Sequence, residues 1–153
     1  MRFFIILYLF SVLPPAFGAG YDRDTFSYRS YKPESVVGAY TGGICDIVNI
    51  DHVVSLKDAY ESGAKYWSDE ERAVFANDRE NHLPACFRVN SSKGSAGPKD
   101  FLRRSRDGKG LDYLIVDFCG YVAVYFAVKQ KYELSFQLND AQLFRGCGLK
   151  IFP

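Results

Sequence analysis

Two segments decide how this chain is read. They are Ile47-Val48-Asn49-Ile50-Asp51-His52-Val53-Val54 and Asn81-His82-Leu83-Pro84-Ala85-Cys86-Phe87-Arg88-Val89-Asn90. The first is a β-branched apolar run that ends on an Asp-His pair. The second is a short apolar run bracketed by asparagines. Asp51 and an Asn side chain offer the hard oxygen donors that a small divalent cation prefers. His52 offers an imidazole that exchanges a proton near neutral pH. Arg88 and Lys93 offer positive charge for a phosphate. Together these groups suit metal-assisted hydrolysis of a phosphodiester.

Working outward, Ile44 to Ile50 reads as one strand and Leu83 to Phe87 as a second. Pro84 lacks an N–H, so it belongs at an edge or near the start of its strand. Ser55 to Trp67 reads as a helix, with Leu56, Ala59, Tyr60, Gly63, Ala64 and Trp67 at three- and four-residue spacing; Gly63 weakens it. Ser68-Asp69-Glu70-Glu71 is a capping box that starts another helix, which stops near Asn77-Asp78. Asn90 onward enters a short helix or turn, and Pro98 starts a helical turn through Leu102 and Arg103. Leu111 to Tyr132 reads as a buried helix, although its β-branched and aromatic content favours a strand. Asn139-Asp140 caps a last helix through Phe144. Tyr21 to Gly43 has no helical period and reads as loop with one or two short strands.

The chain has 153 residues, enough for one domain, and its 48% apolar and 24% charged residues suit a globular protein. Residues 1–18 are set apart. Met1-Arg2 precedes an apolar run from Phe3 to Leu13 that Pro14-Pro15 breaks, and Ala16-Phe17-Gly18 offers small residues to a signal peptidase. This predicts a signal peptide over 1–18, cleavage after Gly18, and a single mature domain over 19–153 in a secreted, extracellular or periplasmic protein. Asp112 and Asp117 argue against a membrane span in the Leu111–Tyr132 run.

Loss of Arg2 takes the formal net charge from +1 to 0, so overall charge favours no partner. Its distribution does. Between Arg88 and Lys109, seven basic residues (Arg88, Lys93, Lys99, Arg103, Arg104, Arg106 and Lys109) oppose two acidic ones, a net of +5. Such a segment fits a polyanion, and it also fits a solvated loop. Cys45, Cys86, Cys119 and Cys147 make an even count with no CxxC, which favours two disulfides over a zinc cluster. If the two strands pair antiparallel, Cys45 and Cys86 fall together, leaving Cys119 with Cys147.

These blocks together resemble the secreted HNH endonucleases of the ββα-metal, or His-Me finger, group, and are similar to the C-terminal nuclease domain of GmrSD-type enzymes. The likeness runs in order from Tyr21 to Phe144. It is carried by Ile50-Asp51-His52-Val53-Val54-Ser55-Leu56-Lys57-Asp58-Ala59, Ser62-Gly63-Ala64 with Trp67, Phe75-Ala76-Asn77-Asp78-Arg79-Glu80-Asn81, Asn90-Ser91-Ser92-Lys93-Gly94 and Cys119-Gly120-Tyr121-Val122 with Tyr132-Glu133-Leu134. It implies an α+β fold: a ββα-metal core with additional helices packed on a short antiparallel hairpin. It implies Asp51 and Asn90 as metal ligands, His52 as general base and Asn81 as the residue that fixes the loop and the histidine, a His-Asn-Asn subtype. It implies Mg2+ as cofactor, with Mn2+ as substitute.

Substrate contacts would come from Arg88, Lys93, Lys99, Arg103 and Arg104, to DNA or to RNA, in a monomer. The pattern departs from the resemblance at Pro98 to Arg104, where Phe101 and arginines stand in place of a Trp-Leu-Pro-Pro run. His82 reads as a structural or surface histidine. An alternative is a secreted nucleic-acid-binding or interaction module on the same scaffold without catalysis; a third reading is a disulfide-stapled structural or inhibitor domain.

Overall fold

A computed structural model describes residues 20–101 and 114–151. The signal peptide over 1–18, Arg103, Arg104, Arg106 and Lys109, and the first residues of the helix expected from Leu111 lie outside the described residues.

Strand β1 (Val48–His52) pairs antiparallel with β2 (His82–Cys86), in register from Val48↔Cys86 to His52↔His82. The excursion between them carries α1 (Leu56–Ser62), a 3-10 turn at Ala64–Tyr66, α2 (Asp69–Ala76) and a 3-10 turn at Arg79–Asn81. Helix α3 (Phe87–Lys93) follows β2 without a linker and packs on both strands. Then come α4 (Pro98–Phe101), α5 (Phe118–Lys131) and α6 (Ala141–Gly146). The class is α+β, with one two-stranded sheet among the described residues.

Local chemistry sets most of these boundaries. Ser68 Oγ accepts from Glu71 N at 3.2 Å while Glu71 Oε2 accepts from Ser68 N at 2.7 Å, the reciprocal pair expected of a capping box. Ser55 Oγ caps α1 by accepting from Asp58 N at 3.0 Å. The helix expected from Ser55 to Trp67 divides after Ser62, because Gly63 takes φ 151°, a conformation that L side chains rarely adopt. The long apolar helix begins at Phe118 rather than Leu111, where Asp117 Oδ1 accepts from Gly120 N at 2.8 Å.

The first strand is shifted relative to expectation. It runs to His52, so the Asp-His pair lies within the ladder, and Ile44 only bridges Val37. Pro84 sits mid-strand opposite Ile50, and its carbonyl accepts from Ala39 N at 2.8 Å.

The core is aromatic. Tyr40 is 2% exposed and meets Phe101 and Tyr121 edge-on, with centroids 4.9 and 5.3 Å away. Such tilted contacts place the positive ring edge on the negative ring face. Phe26, Phe75, Val122, Tyr125 and Phe144 complete the centre. Lys129 is a buried cation beside these rings: its Nζ donates to Asp58 Oδ1 at 2.9 Å, to Ser62 Oγ and to the Ser135 carbonyl, while Tyr125 donates to Asp58 Oδ2. A buried ammonium survives only with such pairing.

Both disulfides expected from the sequence are present, Cys45–Cys86 and Cys119–Cys147. The first ties the segment before β1 to the last residue of β2. Gly38 lies against it: a Cβ there would stand 2.8 Å from Cys86 Sγ, 3.0 Å from Cys45 Sγ and 3.1 Å from the Cys86 main-chain nitrogen. Gly38→Ala should therefore lower stability by about 1–3 kcal/mol through overpacking. Urea denaturation of the oxidised protein measures this.

Candidate functional site

Asp51 and His52 are consecutive in a strand, so their side chains leave opposite faces of the sheet. Asp51 faces α3. Its Oδ2 accepts from Tyr40 Oη at 2.5 Å and stands 3.0 Å from Lys93 Nζ, and its Oδ1 is 3.3 Å from the same ammonium. Lys93 also donates to the His52 carbonyl at 2.9 Å. Burial pushes the Asp51 carboxyl up from its ordinary range, and the Lys93 ammonium and Tyr40 hydroxyl act against that rise. Lys93 was expected as a phosphate contact. Its side chain is instead fully buried, because three acceptors inside the fold take its donors.

On the other face, His52 is 6% exposed. Its Nε2 lies 2.8 Å from the Ala76 carbonyl, which can only accept, so Nε2 carries the proton. The lone pair is then on Nδ1, which has no hydrogen-bond partner among the described residues. His82, one ring away at 4.6 Å, donates from its Nε2 to the same carbonyl at 3.0 Å, and its Nδ1 lies 3.1 Å from Tyr31 Oη. His82 is thus a buried structural histidine. Tyr28 meets the His52 ring edge-on at 4.6 Å. Desolvation drives the His52 pKa down to about 3, with the Ala76 hydrogen bond opposing and the positive charge of nearby Arg23 and Lys93 adding to the depression. Burial therefore favours the neutral ring over the imidazolium.

Asn81 is wholly buried. Its side-chain amide accepts from Val54 N at 2.8 Å and donates to Val54 O at 3.0 Å, and its own carbonyl accepts from Val53 N at 2.8 Å. It joins the exit of β1 to the entry of β2 across 27 positions and thereby sets the main chain directly after His52.

An open cavity of about 260 Å³ draws its lining from β1, α1 and α3. Asp51, His52 and Asn90 all line it, with Ser55 and Ser95, and with Arg23 and Lys57. Asn90 lies mid-helix in α3, and its amide makes no hydrogen bond among the described residues. Arg88 and Lys99 are exposed but do not line the cavity. Arg23 and Lys57 were not expected. Arg23 comes from the segment read as loop with one or two short strands; it forms a 3-10 turn at Arg23–Phe26 that packs on α1 and α2, and its only strand-like feature among the described residues is the isolated Val37–Ile44 bridge. Lys57 sits in the first turn of α1 beside His52, a position that the strand-to-helix transition at Ser55 signals.

Of the two expected metal ligands, Asn90 has an unengaged amide, whereas both oxygens of Asp51 are taken by Lys93 and Tyr40; a small hard cation binds through few protein ligands, with water or phosphate filling the rest. Among the described residues no group of three or more His, Cys, Asp or Glu is assembled for a metal. A cation held by Asp51 and Asn90 would have to displace part of the Lys93 and Tyr40 contacts to Asp51.

No family model matches the chain, and no solved structure matches it. A protein of Arthroderma benhamiae described as an uncharacterized secreted protein is 34% identical over 90 residues, which is 58% of this chain. The match spans 40% of that relative's length. Among the described residues no helix is long and apolar enough to cross a membrane.

Asn81→Ala should cost roughly 2–5 kcal/mol, because it leaves a buried N–H and a buried carbonyl of Val54 unpaired. Chemical denaturation measures that loss. A second expectation concerns acid. The folded-state pKa of His52 lies below its unfolded value, so between pH 6.5 and about 3 the unfolded chain binds the extra proton and stability falls with pH. At pH 5 this amounts to about 2 kcal/mol. Urea melts at pH 7 and pH 5 should show a smaller loss for His52→Asn than for the wild type; equal losses would mean that the imidazole is not buried as a neutral group.

Proposed function

We propose that the protein is a secreted, metal-dependent endonuclease of the HNH type, with a ββα-metal core formed by β1, β2 and α3. Its substrate is the phosphodiester backbone of DNA, with RNA as the second candidate. One observation carries this reading. His52, whose Nε2 donates to the Ala76 carbonyl and whose Nδ1 is unengaged among the described residues, lines one cavity together with Asp51 and Asn90.

In this mechanism His52 takes a proton from the attacking water at Nδ1, and the Ala76 carbonyl stabilises the imidazolium that forms. Asn81 keeps the ring in place by fixing the chain at Val54. Asp51 and Asn90 would hold the cation, which when bound supplies positive charge to the scissile phosphate and the departing 3′ oxygen. Arg23 and Lys57 contact flanking phosphates, and Arg88 and Lys99 add charge outside the cavity. A chain this short leaves little surface for base readout, so phosphate contacts dominate and sequence preference is slight. Magnesium is the cofactor and manganese the substitute. The two disulfides and the secreted relative support an exported site of action, after removal of residues 1–18, and the unit works as a monomer.

Purified mature protein should nick supercoiled plasmid in magnesium and stop in excess chelator. His52→Ala should slow nicking by about 10²–10⁴-fold while keeping its circular dichroism and melting transition. Nicking that persists in excess chelator removes the mechanism. Salt-sensitive DNA retention with no cleavage under any metal would assign the protein to the binding-module reading instead.

A further inference from the structure

The charge on the cavity wall is one-sided. Among the described residues Asp51 is the only carboxylate lining it, and the buried Lys93 ammonium and the Tyr40 hydroxyl already hold that group from within. Arg23 and Lys57 are exposed and line the same wall. With Lys93 set against Asp51, a balance of two positive charges remains. No other acid on the wall answers them. Asp22 and Asp24 flank Arg23 in the chain but do not line the cavity, and Glu61 stands 3.8 Å from Lys57 with both side chains half exposed. A surface pair of that kind contributes little.

Neutral groups complete the set. The Asn90 amide and the Ser95 hydroxyl have no hydrogen-bond partner among the described residues, and the Ser55 hydroxyl reaches the Ser95 carbonyl only at 3.5 Å. The 3-10 turn at Arg23–Phe26, α1 and α3 thus each bring a donor to one space of about 260 Å³. A cleft lined by one sign of charge concentrates the opposite ion. A phosphate dianion suits this wall, since it brings two negative charges and several strong acceptor oxygens. A guanidinium pairs with two of those oxygens at once, and a lysine follows as a point charge.

We propose that the cavity is an anion site that takes a phosphate dianion with no metal required, on Arg23 and Lys57 with Asn90 and Ser95, and that free phosphate entering it competes with nucleic acid. The anion site stands on the cavity alone, whereas the competition rests on the nuclease reading. Ambient phosphate then sets how much of the protein is open to substrate.

The test measures anion binding. Inorganic phosphate is titrated calorimetrically into the oxidised mature protein in low salt and excess chelator, at about pH 8, where phosphate is mostly dianionic. Wild type should bind a single phosphate per chain. Arg23→Gln and Lys57→Gln should each weaken binding by at least about tenfold. Arg145→Gln removes an exposed positive charge on α6, off the cavity lining, and should change binding by less than about twofold. Melting curves establish that each variant is folded. A 5′-phosphorylated dithymidine should bind as inorganic phosphate does, and the unphosphorylated dinucleotide at least about tenfold more weakly. Inorganic phosphate should raise the plasmid concentration needed for half-maximal nicking.

Binding that appears only when magnesium is added overturns the anion site. So does binding that Arg23→Gln and Lys57→Gln leave unchanged, or that Arg145→Gln weakens equally. Binding of the phosphorylated dinucleotide without binding of inorganic phosphate assigns the site to strand ends and overturns competition by free phosphate. Phosphate binding in chelator, with no nicking under any metal, keeps the anion site and removes the nuclease reading. Nicking without phosphate binding does the reverse.

Discussion

A single buried amide holds this molecule together at its most demanding point. The two strands are separated by an excursion that contains two α-helices and two 3-10 turns, and closing so long a loop has an entropic cost. Asn81 offsets it by pairing with both main-chain groups of Val54. A side-chain amide presents its donor and its acceptor on separate atoms, as the peptide group does, so it can imitate a strand partner where the ladder ends. At the far end of the hairpin the Cys45–Cys86 bond does the corresponding work covalently. Between these fasteners the register is fixed, and Asp51 and His52 are directed to opposite faces.

Each face then carries its own polar arrangement. Below the sheet, an ammonium from α3 meets a strand carboxylate and a tyrosine from the preceding loop. Above it, two imidazoles converge on a turn of main chain at the end of α2. A third cluster, Lys129 with Asp58, Ser62 and Tyr125, joins α5 to α1. Buried ion pairs contribute little net stability, because desolvation offsets attraction, but breaking one leaves a charge stranded. Lys93 and Lys129 thus penalise any packing of α3 or α5 that misses its aspartate. The aromatic core supplies the attraction, and the two lysines make one docking of each helix cheaper than its neighbours.

Local features of the fold were legible in the sequence, and long-range ones were not. Ser68 and Glu71 announce a capping box within four positions, and it forms as expected. Gly63 signals weakness in a helix and proves to be the break. The hairpin and both disulfides follow from strand patterning once the antiparallel pairing is assumed. The strand limit was misplaced because Asp51 and His52 look like turn residues; their pairing with Leu83 and His82 outweighs that preference. Lys93 could not be placed from its neighbours, since its partner lies 42 positions away and a lysine in a basic run looks solvated. Arg23 was hidden for the same reason, in a segment with no period whose position is set only by packing on α1 and α2.

Ala76 presents an unusual situation. Its carbonyl receives both histidine rings and fixes which nitrogen of each bears hydrogen. The group responsible belongs to the polypeptide backbone of a residue whose methyl has no part in it. A systematic alanine scan would pass over this position in silence, and an exchange to glycine or serine would leave the acceptor where it is. Only chemical editing of the peptide unit itself, such as an ester in place of the amide so that the carbonyl becomes a poorer acceptor, would reach the feature that orients the ring.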